Sequence, residues 1–319
     1  MKKLLVAIVV AALAAAAVLV FQWTAKGPLL ADADFIVPRG ATLAATAERL
    51  EDQGPIRSSD AFRLMARALA TGAPIKAGEF RIPAGSSPAA ILRILQYGEP
   101  LQRLIVIPEG LPSILVHEKL MAEELLTGEA EVPAEGSVLP GGYSFERGEP
   151  RAAVLKRMQD AMTKTLAELW AARRPSAVVK TPEEAVNLAA IVEKETAKAE
   201  ERRTIAGVYS NRLRIGMMLQ ADPTVIYPIT KGKPLGRRIR QSELRADNGY
   251  NTYAKAGLPA GPIANPGRAS IEAVLDPETT DALYFVADGT GGHVFARTLA
   301  EHNANVVKWR AIRPERGER

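Results

Sequence analysis

The segment best suited to catalysis begins at Thr181 and ends in a pair of glutamates. Thr181 to Glu184, with the sequence TPEE, combines an N-cap threonine, a proline at the first helical position and a glutamate three residues after the cap. Leu188, Ile191 and Val192 then recur at the spacing of one helical face. Glu195 follows Ile191 by four residues and Val192 by three, so it continues the same apolar stripe.

The two glutamates of this helix are expected to face opposite ways. At about 100° per residue, Glu195 lies about 20° from Leu188 around the helix axis and Glu193 lies about 140° away. We therefore predict that Glu195 faces the core and Glu193 faces solvent. Partial burial raises the pKa of a carboxyl group, and a carboxyl that stays protonated near neutrality can act as general acid on a glycosidic oxygen.

Periodicity alone leaves a structural alternative open for Glu195. A glutamate at a helix end can also form an ion pair with a nearby basic residue, here Arg202 or Arg203. The following segment, Ile205 to Leu213, reads as a further helix, and it places Asn211 beside the loop from Gln220 to Thr224. The sequence thus predicts a helical frame around Glu195.

The composition excludes several other chemistries. The chain has 319 residues, 41 Lys and Arg against 36 Asp and Glu, three His and no Cys. The absence of Cys removes disulfides, thiol nucleophiles and Cys-ligated metals, and three His make a His-rich metal site difficult to build. We therefore expect no cofactor and no metal. The net charge of +5 is modest and does not indicate a nucleic-acid partner.

The amino terminus has the composition of a membrane anchor. Leu4 to Trp23 is an uninterrupted run of 20 residues in which only Gln22 is polar, which matches the thickness of a bilayer core. Lys2 and Lys3 precede the run, so residues 1–3 are predicted to be cytoplasmic and the rest of the chain extracytoplasmic. This arrangement places the protein in the inner (plasma) membrane as a single-pass protein.

A cleaved secretory signal is the alternative for this segment. Leu4 to Leu13 could form its apolar core, and Ala14 to Ala16 could supply the small residues of a cleavage site. Val18 to Phe21 argues against cleavage, because the apolar run continues where a polar mature start would be expected. Both interpretations export the remainder of the chain.

The exported part is predicted to be α+β, with a small module and a larger domain. Strands and helices alternate in the order strand, helix, helix, strand, helix, strand over the first part, which is typical of a small α+β module. The predicted divisions are a linker (24–34), the small module (35–107), a connecting segment (108–149), a mixed α+β domain (150–310) and a charged tail (311–319).

Two further segments have simple structural interpretations. Asp288 to His293 is rich in glycine but lacks the lysine of a phosphate-binding loop, so it favours a hairpin turn, with His293 at the edge of a site. Arg237 to Arg240 is a short basic patch that suits a solvated loop or a contact with anionic cell-wall polymers.

Eight blocks in the second half of the chain resemble a known family. They occur in this order: IVEKET (Ile191–Thr196), VYSNRL (Val208–Leu213), MLQADPTVIY (Met218–Tyr227), YNTY (Tyr250–Tyr253), GLPAGPI (Gly257–Ile263), NPG (Asn265–Gly267), YFVADG (Tyr284–Gly289) and GHVF (Gly292–Phe295). In type and order they resemble the endolytic murein transglycosylases of the YceG-like family. The anchor and a LysM-like module at 35–107 also agree with the layout of that family.

The resemblance implies a membrane-anchored lyase that acts on nascent peptidoglycan glycan strands. Such an enzyme cuts between N-acetylmuramic acid and N-acetylglucosamine and leaves a 1,6-anhydro-muramyl end. The family's catalytic glutamate maps onto Glu195, and Thr196 resembles the second member of the Glu-Ser pair of other lytic transglycosylases. The implied partners are peptidoglycan strands and peptidoglycan synthases.

Six other polar residues in these blocks are candidates for binding sugar and N-acetyl groups, although each could equally be structural. They are Asn211, Gln220, Asp222, Tyr250, Asn251 and Tyr253. Asp222 could also be a second catalytic carboxylate, but Asp-Pro commonly begins a turn. Two functional alternatives stay open: a muramidase that hydrolyses the same bond, and a non-catalytic anchor that binds the wall and recruits synthases.

Overall fold

The computed structural model describes residues 2–69 and 72–312, and it contains two compact units. The first unit comprises the chain up to Arg103 together with residues 144–149, and the second comprises residues 104–143 and the chain from Pro150 onward. The described residues form small two-stranded sheets among many helices. The predicted mixed α+β class is confirmed, whereas the exact domain bounds given above stay predictions.

The first unit begins with one long apolar helix, α1 (Lys2–Thr24). By length and composition it could cross a membrane. Its last turn packs in a protein core, since Trp23 is 8% exposed and the centroid of its ring lies 5.6 Å from that of Phe62. The end of α1 is therefore part of the folded first unit.

The elements that follow α1 match the predicted order. They are β1 (Ala33–Val37), α2 (Leu43–Asp52), α3 (Ser59–Leu69), β2 (Gly78–Ile82) and α4 (Pro88–Tyr97). Strands β1 and β2 pair antiparallel with Phe35 opposite Phe80, and both rings are buried. Thr42, Ser58 and Ser87 accept hydrogen bonds from backbone N–H groups three residues later, which explains where the helices begin.

The segment predicted as a linker, 24–34, is held along this module. The Gly27 N–H donates to the Gly85 carbonyl at 3.2 Å, and the Gly85 N–H donates to the Leu29 carbonyl at 2.9 Å. A side chain at Gly27 would collide with the Ser86 carbonyl oxygen, so the close approach of the two backbones requires glycine here. The module is thus fastened directly to the end of α1.

The remaining elements belong mainly to the second unit. Strand β3 (Gln102–Ile107) pairs with β4 (Gly141–Glu146), and α5 (Ser113–Ala122) lies between them in sequence. The others are α6 (Arg151–Ala171), α7 (Pro182–Glu195), α8 (Arg202–Arg214), α9 (Asp222–Thr230), α10 (Gln241–Leu244), α11 (Arg268–Leu275), β5 (Tyr284–Ala287), β6 (His293–Ala296) and α12 (Leu299–Ile312). Most of the predicted tail, 313–319, lies outside the described residues.

Helix α7 is the centre of the second core. Every residue from Ala185 to Val192 is buried, and α7 packs against α6, α8, α9 and α11. An amphipathic surface helix would bury only one stripe, so burial on all sides shows that α7 is enclosed by its neighbours. The predicted hairpin is confirmed: β5 and β6 pair antiparallel with Tyr284 opposite Ala296.

Candidate active site

Glu195 is the last residue of the enclosed helix α7. At the start of α7, the Thr181 hydroxyl accepts a hydrogen bond from the Glu184 N–H at 3.2 Å. At its end, Thr196 adopts an extended conformation with φ −140° and ψ 138°, so the helix stops there. The core around α7 therefore fixes the position of the Glu195 carboxyl group at the end of the helix.

This carboxyl group lies in a cleft of about 330 Å³. The lining side chains come from the last residue of α7, from α8, from the start of α9 and the loop before it, from the loop that contains Tyr253, from the hairpin and from α12. They are Glu195, Tyr209, Arg212, Gln220, Asp222, Tyr253, Tyr284, Phe285, Leu299 and His302. Four of the seven residues predicted for the site, Glu195, Gln220, Asp222 and Tyr253, are thus brought together in one cleft.

Burial dominates the electrostatics of Glu195. It raises the pKa of the Glu195 carboxyl to about 7, and the nearby charge of Asp222 acts in the same direction. The Tyr209 hydroxyl, as a hydrogen-bond donor, and the Arg212 guanidinium favour the ionised form and oppose this shift. Near neutral pH, Glu195 can therefore both give and accept a proton.

The ion-pair alternative for Glu195 is wrong. Arg202 lies 3.2 Å from a carboxylate oxygen of Glu109, and Arg203 lies 3.0 Å from Asp276. Both of the basic residues that could have paired with Glu195 are thus engaged by other carboxylates. Neither Arg202 nor Arg203 forms an ion pair with Glu195.

The prediction that Glu193 faces solvent is also wrong. Its side chain is 6% exposed, and one carboxylate oxygen accepts a hydrogen bond from the Gly267 N–H at 2.8 Å while the other lies 3.8 Å from Arg202. Residues distant in sequence cover this face of α7, and helical phase alone carries no information about them. Glu193 binds the helix to its surroundings instead.

A second carboxylate shares the cleft with Glu195. Asp222 begins α9, and its Oδ1 accepts a hydrogen bond from the Tyr253 hydroxyl at 2.6 Å. Burial and then Asp222 raise the pKa of Tyr253, so the tyrosine remains a donor over the physiological range. The pair presents one acidic and one hydroxyl group toward the same space.

The loop before Asp222 is held in a strained conformation. Gln220 has φ 51°, in the left-handed region, which costs a residue other than glycine on the order of 1–3 kcal/mol. Its N–H donates to the Thr252 carbonyl, and the Ala221 N–H donates to the Thr252 hydroxyl at 3.0 Å. The buried hydroxyls of Thr224 and Thr252 lie 2.8 Å apart and complete this connection. The network fixes Gln220 and Asp222 relative to Tyr253.

Three predicted binding residues do not line the cleft. The Asn211 amide donates to the carbonyls of Thr280 at 2.8 Å and Ala282 at 3.1 Å. Asn251 is buried, and its amide nitrogen lies within 2.8–3.1 Å of three main-chain carbonyl oxygens of the segment 243–246. The Tyr250 ring packs on Tyr227 with centroids 4.9 Å apart. These three side chains hold the frame of the site.

Thr196 and His293 form a contact network beside the cleft. The Thr196 hydroxyl donates to a carboxylate oxygen of Glu201 at 3.1 Å, and His293 Nδ1 lies 2.7 Å from the same oxygen. The network ties the residue after Glu195 to the β5–β6 hairpin. Neither Thr196 nor His293 lines the cleft.

Sequence reasoning missed several residues of the cleft, among them Tyr209, Arg212 and His302. Arg212 carried a usable signal, because it continues an apolar stripe through Ile205 and Val208 just as Glu195 continues its own. No local pattern marks His302, which reaches the site by stacking on Tyr284 at 5.3 Å. Its position depends on a contact between the hairpin and α12.

Comparison with known proteins gives one consistent relationship. The model of the YceG-like family matches residues 35–308. The endolytic murein transglycosylase of Bacillus subtilis (strain 168) is 35% identical over 58% of this chain and 50% of its own length. That of Streptococcus pneumoniae serotype 2 is 28% identical over 85% of this chain and 57% of its own. The chain thus spans about half the length of these curated relatives.

A solved structure agrees with this relationship. The crystal structure of a YceG-like protein from Listeria monocytogenes matches with a TM-score of 0.53 at 26% identity, over 86% of this chain and 98% of that one. The family match extends across the first unit's module and through the cleft residues of the second unit as far as α12. On this evidence the chain belongs to the YceG-like family.

Proposed function

We propose that this protein is an endolytic peptidoglycan lytic transglycosylase. It cleaves the bond between N-acetylmuramic acid and N-acetylglucosamine within glycan strands and leaves a 1,6-anhydro-muramyl end. The observation that carries the proposal is Glu195, a half-buried carboxyl group that lines a polar cleft and whose pKa desolvation raises to about 7. The curated relatives are named endolytic murein transglycosylases, which supports the same reaction class.

In the first step Glu195 acts as general acid. Its protonated carboxyl gives a proton to the glycosidic oxygen, and the bond between that oxygen and the muramyl anomeric carbon breaks. Burial supports this role, because it keeps the carboxyl protonated at a pH where an exposed glutamate is ionised. The leaving product is the sugar hydroxyl of N-acetylglucosamine.

In the second step the same residue acts as general base. The Glu195 carboxylate takes the proton of the muramyl C6 hydroxyl while its oxygen bonds to the anomeric carbon, which closes the anhydro ring. Glu195 ends the cycle protonated, and no water is consumed. The attack is intramolecular, so positioning can replace several kcal/mol of association cost.

The other predicted cleft residues are assigned to substrate binding. Gln220, Asp222 and Tyr253 line the cleft with Glu195, and the threonine network described above fixes their relative positions. Their hydroxyl, amide and carboxylate groups suit the hydroxyl and N-acetyl groups of a glycan. Asn211, Tyr250 and Asn251 support this set from outside the cleft.

A muramidase is the second candidate, and Asp222 is the observation that favours it. A hydrolase generally needs a second carboxylate to activate water or to form a covalent intermediate. Asp222 shares the cleft and could serve, but its Oδ1 accepts the Tyr253 hydroxyl hydrogen at 2.6 Å. This bond ties one oxygen of Asp222 to the protein, which favours a binding role.

The setting of the enzyme is part of the proposal. Helix α1 anchors the chain in the inner membrane, the catalytic unit lies on the extracytoplasmic side, and the first unit is a LysM-like module. The length and composition of α1 support the anchor, and the order β1, α2, α3, β2 supports the module. Peptidoglycan synthases are the proposed protein partners, because the reaction acts on strands as they are made.

Cleavage by a Glu195→Gln variant tests the proposal. The variant keeps the shape and hydrogen-bonding capacity of the side chain but cannot transfer a proton. We expect loss of strand cleavage without any fall in the thermal unfolding midpoint. Glu183→Gln, which makes the same change in the exposed first turn of α7, should cleave normally. Full cleavage by Glu195→Gln would reject Glu195 as the catalytic residue of either enzymatic candidate, whereas absence of cleavage by the wild type would favour the non-catalytic anchor.

A further inference from the structure

Arg212 is a buried cation without an acidic partner. It is 7% exposed, and among the described residues no carboxylate lies within ion-pair distance of its guanidinium. Burying a charge without a counter-ion is costly, so such a residue is retained where its charge or donors are used. The nearest structural context is the cleft, which Arg212 lines together with Glu195.

Four contacts hold the Arg212 guanidinium in one orientation. Its Nε donates to the Leu283 carbonyl at 2.6 Å, and its Nη1 donates to the Leu219 carbonyl at 2.5 Å. The ring centroids of Tyr209 and Tyr284 lie 5.9 and 5.5 Å from its central carbon, within range of cation–π contact. Two main-chain acceptors and two aromatic rings therefore fix both position and orientation.

The third nitrogen of Arg212 is free. Nη2 makes no hydrogen bond to any described residue and is not fully enclosed, and Arg212 is one of the residues that line the cleft. An arginine nitrogen of this type has two N–H donors in a fixed direction. The site thus presents a preoriented pair of donors beside the proposed general acid.

We propose that Arg212 binds an amide carbonyl oxygen of the muramyl unit through Nη2. The inference rests on the proposed function, which makes a muramyl-containing strand the ligand of this cleft. That unit carries two such oxygens, one on the acetamido group and one on the lactyl arm where the peptide stem begins. A planar, weakly hydrated guanidinium suits an sp² oxygen better than a lysine ammonium would.

A competing role for Arg212 is to stabilise the ionised form of Glu195. The two roles differ in what they predict for a variant. Loss of a substrate contact weakens binding and leaves the pH dependence of cleavage in place, whereas loss of a charge beside Glu195 moves the basic limb of the pH profile. The Arg212→Lys variant separates them, because it keeps the charge and loses the fixed donor pair.

The test measures strand binding in a background that cannot cleave. Glu195→Gln and Glu195→Gln/Arg212→Lys are compared on intact strands, with Arg214→Lys as the control in the same helix. Arg214 lies outside the cleft and donates to the Asn211 side chain and the Ser176 carbonyl. We expect Arg212→Lys to weaken binding about tenfold or more, and Arg214→Lys to leave it unchanged.

Chemically altered strands identify the oxygen. If the acetamido carbonyl is the partner, de-N-acetylated strands bind the Glu195→Gln protein only as weakly as intact strands bind the double variant. If the lactyl carbonyl is the partner, removing the peptide exposes a carboxylate, which tightens binding unless Arg212 is replaced. An Arg212→Lys effect of the same size on all three strands would overturn the proposal.

Two further readouts keep the result interpretable. A basic limb that moves to higher pH in Arg212→Gln cleavage, with no weaker binding by Arg212→Lys, would assign the residue to Glu195 and also overturn the proposal. Arg212→Gln, which keeps an amide donor without the charge, is the second variant if Arg212→Lys lowers the unfolding midpoint. Absence of cleavage by the wild type would reject the proposed reaction and leave the binding comparison intact.

Discussion

Glu195 owes its proposed chemistry to opposing influences within a few side chains. Burial and Asp222 favour its protonated form, while the Tyr209 hydroxyl and Arg212 favour its carboxylate. The balance keeps the pKa at about 7, where one residue can act as acid in one step and base in the next. Changing any one partner should move that balance in a known direction.

The first prediction concerns the pH dependence of cleavage. Because Glu195 must carry a proton to begin the reaction, kcat/KM should fall as pH rises through about 7. Asp222→Asn removes a neighbouring negative charge, so it should move this limb to lower pH. The measurement is kcat/KM on defined strands between pH 5 and about 9. A rate that stays constant to the upper end would contradict the assignment of Glu195 as acid.

The second prediction concerns stability. The pKa of Glu195 is raised from 4.5 in the unfolded chain to about 7 in the native protein. The native protein therefore loses stability as the pH rises between these two values. Glu195→Gln removes this penalty and should raise the free energy of unfolding by about 3 kcal/mol at pH 8 but not at pH 4. Urea unfolding at both pH values measures the difference.

The matched control has the opposite sign. Hydrogen bonds from its own backbone N–H and from Thr181 lower the pKa of Glu183, so its ionised form stabilises the native state. Glu183→Gln should therefore reduce stability at neutral pH and have no effect at low pH. A stabilisation by Glu195→Gln that is equal at pH 4 and pH 8 would show that burial of charge is not its cause.

At the scale of single residues, the sequence was informative where the signal was local. Helical phase identified Glu195, and the same criterion would have identified Arg212 had it been applied to α8. Glu193 was misplaced because its partners, Gly267 and Arg202, approach from other segments of the chain. Gln220 could be proposed as a binder, but its positive φ depends on Thr252, which is distant in sequence.

At the scale of elements, α7 and α8 together determine the cleft. Helix α7 supplies Glu195, α8 supplies Tyr209 and Arg212, and the two helices pack against each other and against α11. The boundaries of both helices were close to those predicted, because caps and apolar stripes depend on residues that are close in sequence. The wall formed by α12 was not predicted, because its contacts with the hairpin involve long-range pairing.

The third prediction tests how closely α8 must approach its neighbours. A Cβ at Gly207 would lie 2.6 Å from the Glu278 carbonyl oxygen, a main-chain atom that cannot simply turn away. Gly207→Ala should displace α8, cost about 1–3 kcal/mol of stability and lower cleavage. Thermal unfolding and strand cleavage measure the two effects.

Ser210→Ala is the control in the same helix. The Ser210 hydroxyl is buried with no hydrogen-bond partner among residues 2–69 and 72–312, so its removal should leave stability unchanged or slightly increased. If Gly207→Ala were as harmless as Ser210→Ala, close packing of α8 would not be what positions Tyr209 and Arg212.

At the scale of the whole molecule, the chain combines a long apolar helix, a small module and a second unit that contains the cleft. The composition already suggested this division, since one 20-residue run accounts for the most apolar part of a chain that is 47% hydrophobic. It could not show that residues 24–34 are bound to the module. That fact depends on the approach of Gly27 to Gly85, which no local pattern encodes.

The fourth prediction tests the continuity of α1 with the first unit. Trp23 packs on Phe62 within the first core, so Trp23→Ala should destabilise that unit by about 3–5 kcal/mol. Hydrogen exchange in nanodiscs should show faster exchange in β1, β2 and α3. Leu13→Ala is the control, at an exposed position of α1 closer to the amino terminus, and it should leave these amides protected.

The most direct test of the proposed reaction is the mass of the new strand ends formed in ¹⁸O-labelled water. Glu195-dependent transglycosylation closes the ring with the substrate's own C6 oxygen, so we predict anhydro-muramyl ends that lack ¹⁸O and weigh one unlabelled water less than reducing ends. Glu195→Gln should form no such ends. New reducing ends, formed in place of anhydro ends as cleavage proceeds, would contradict the account and identify the protein as a hydrolase.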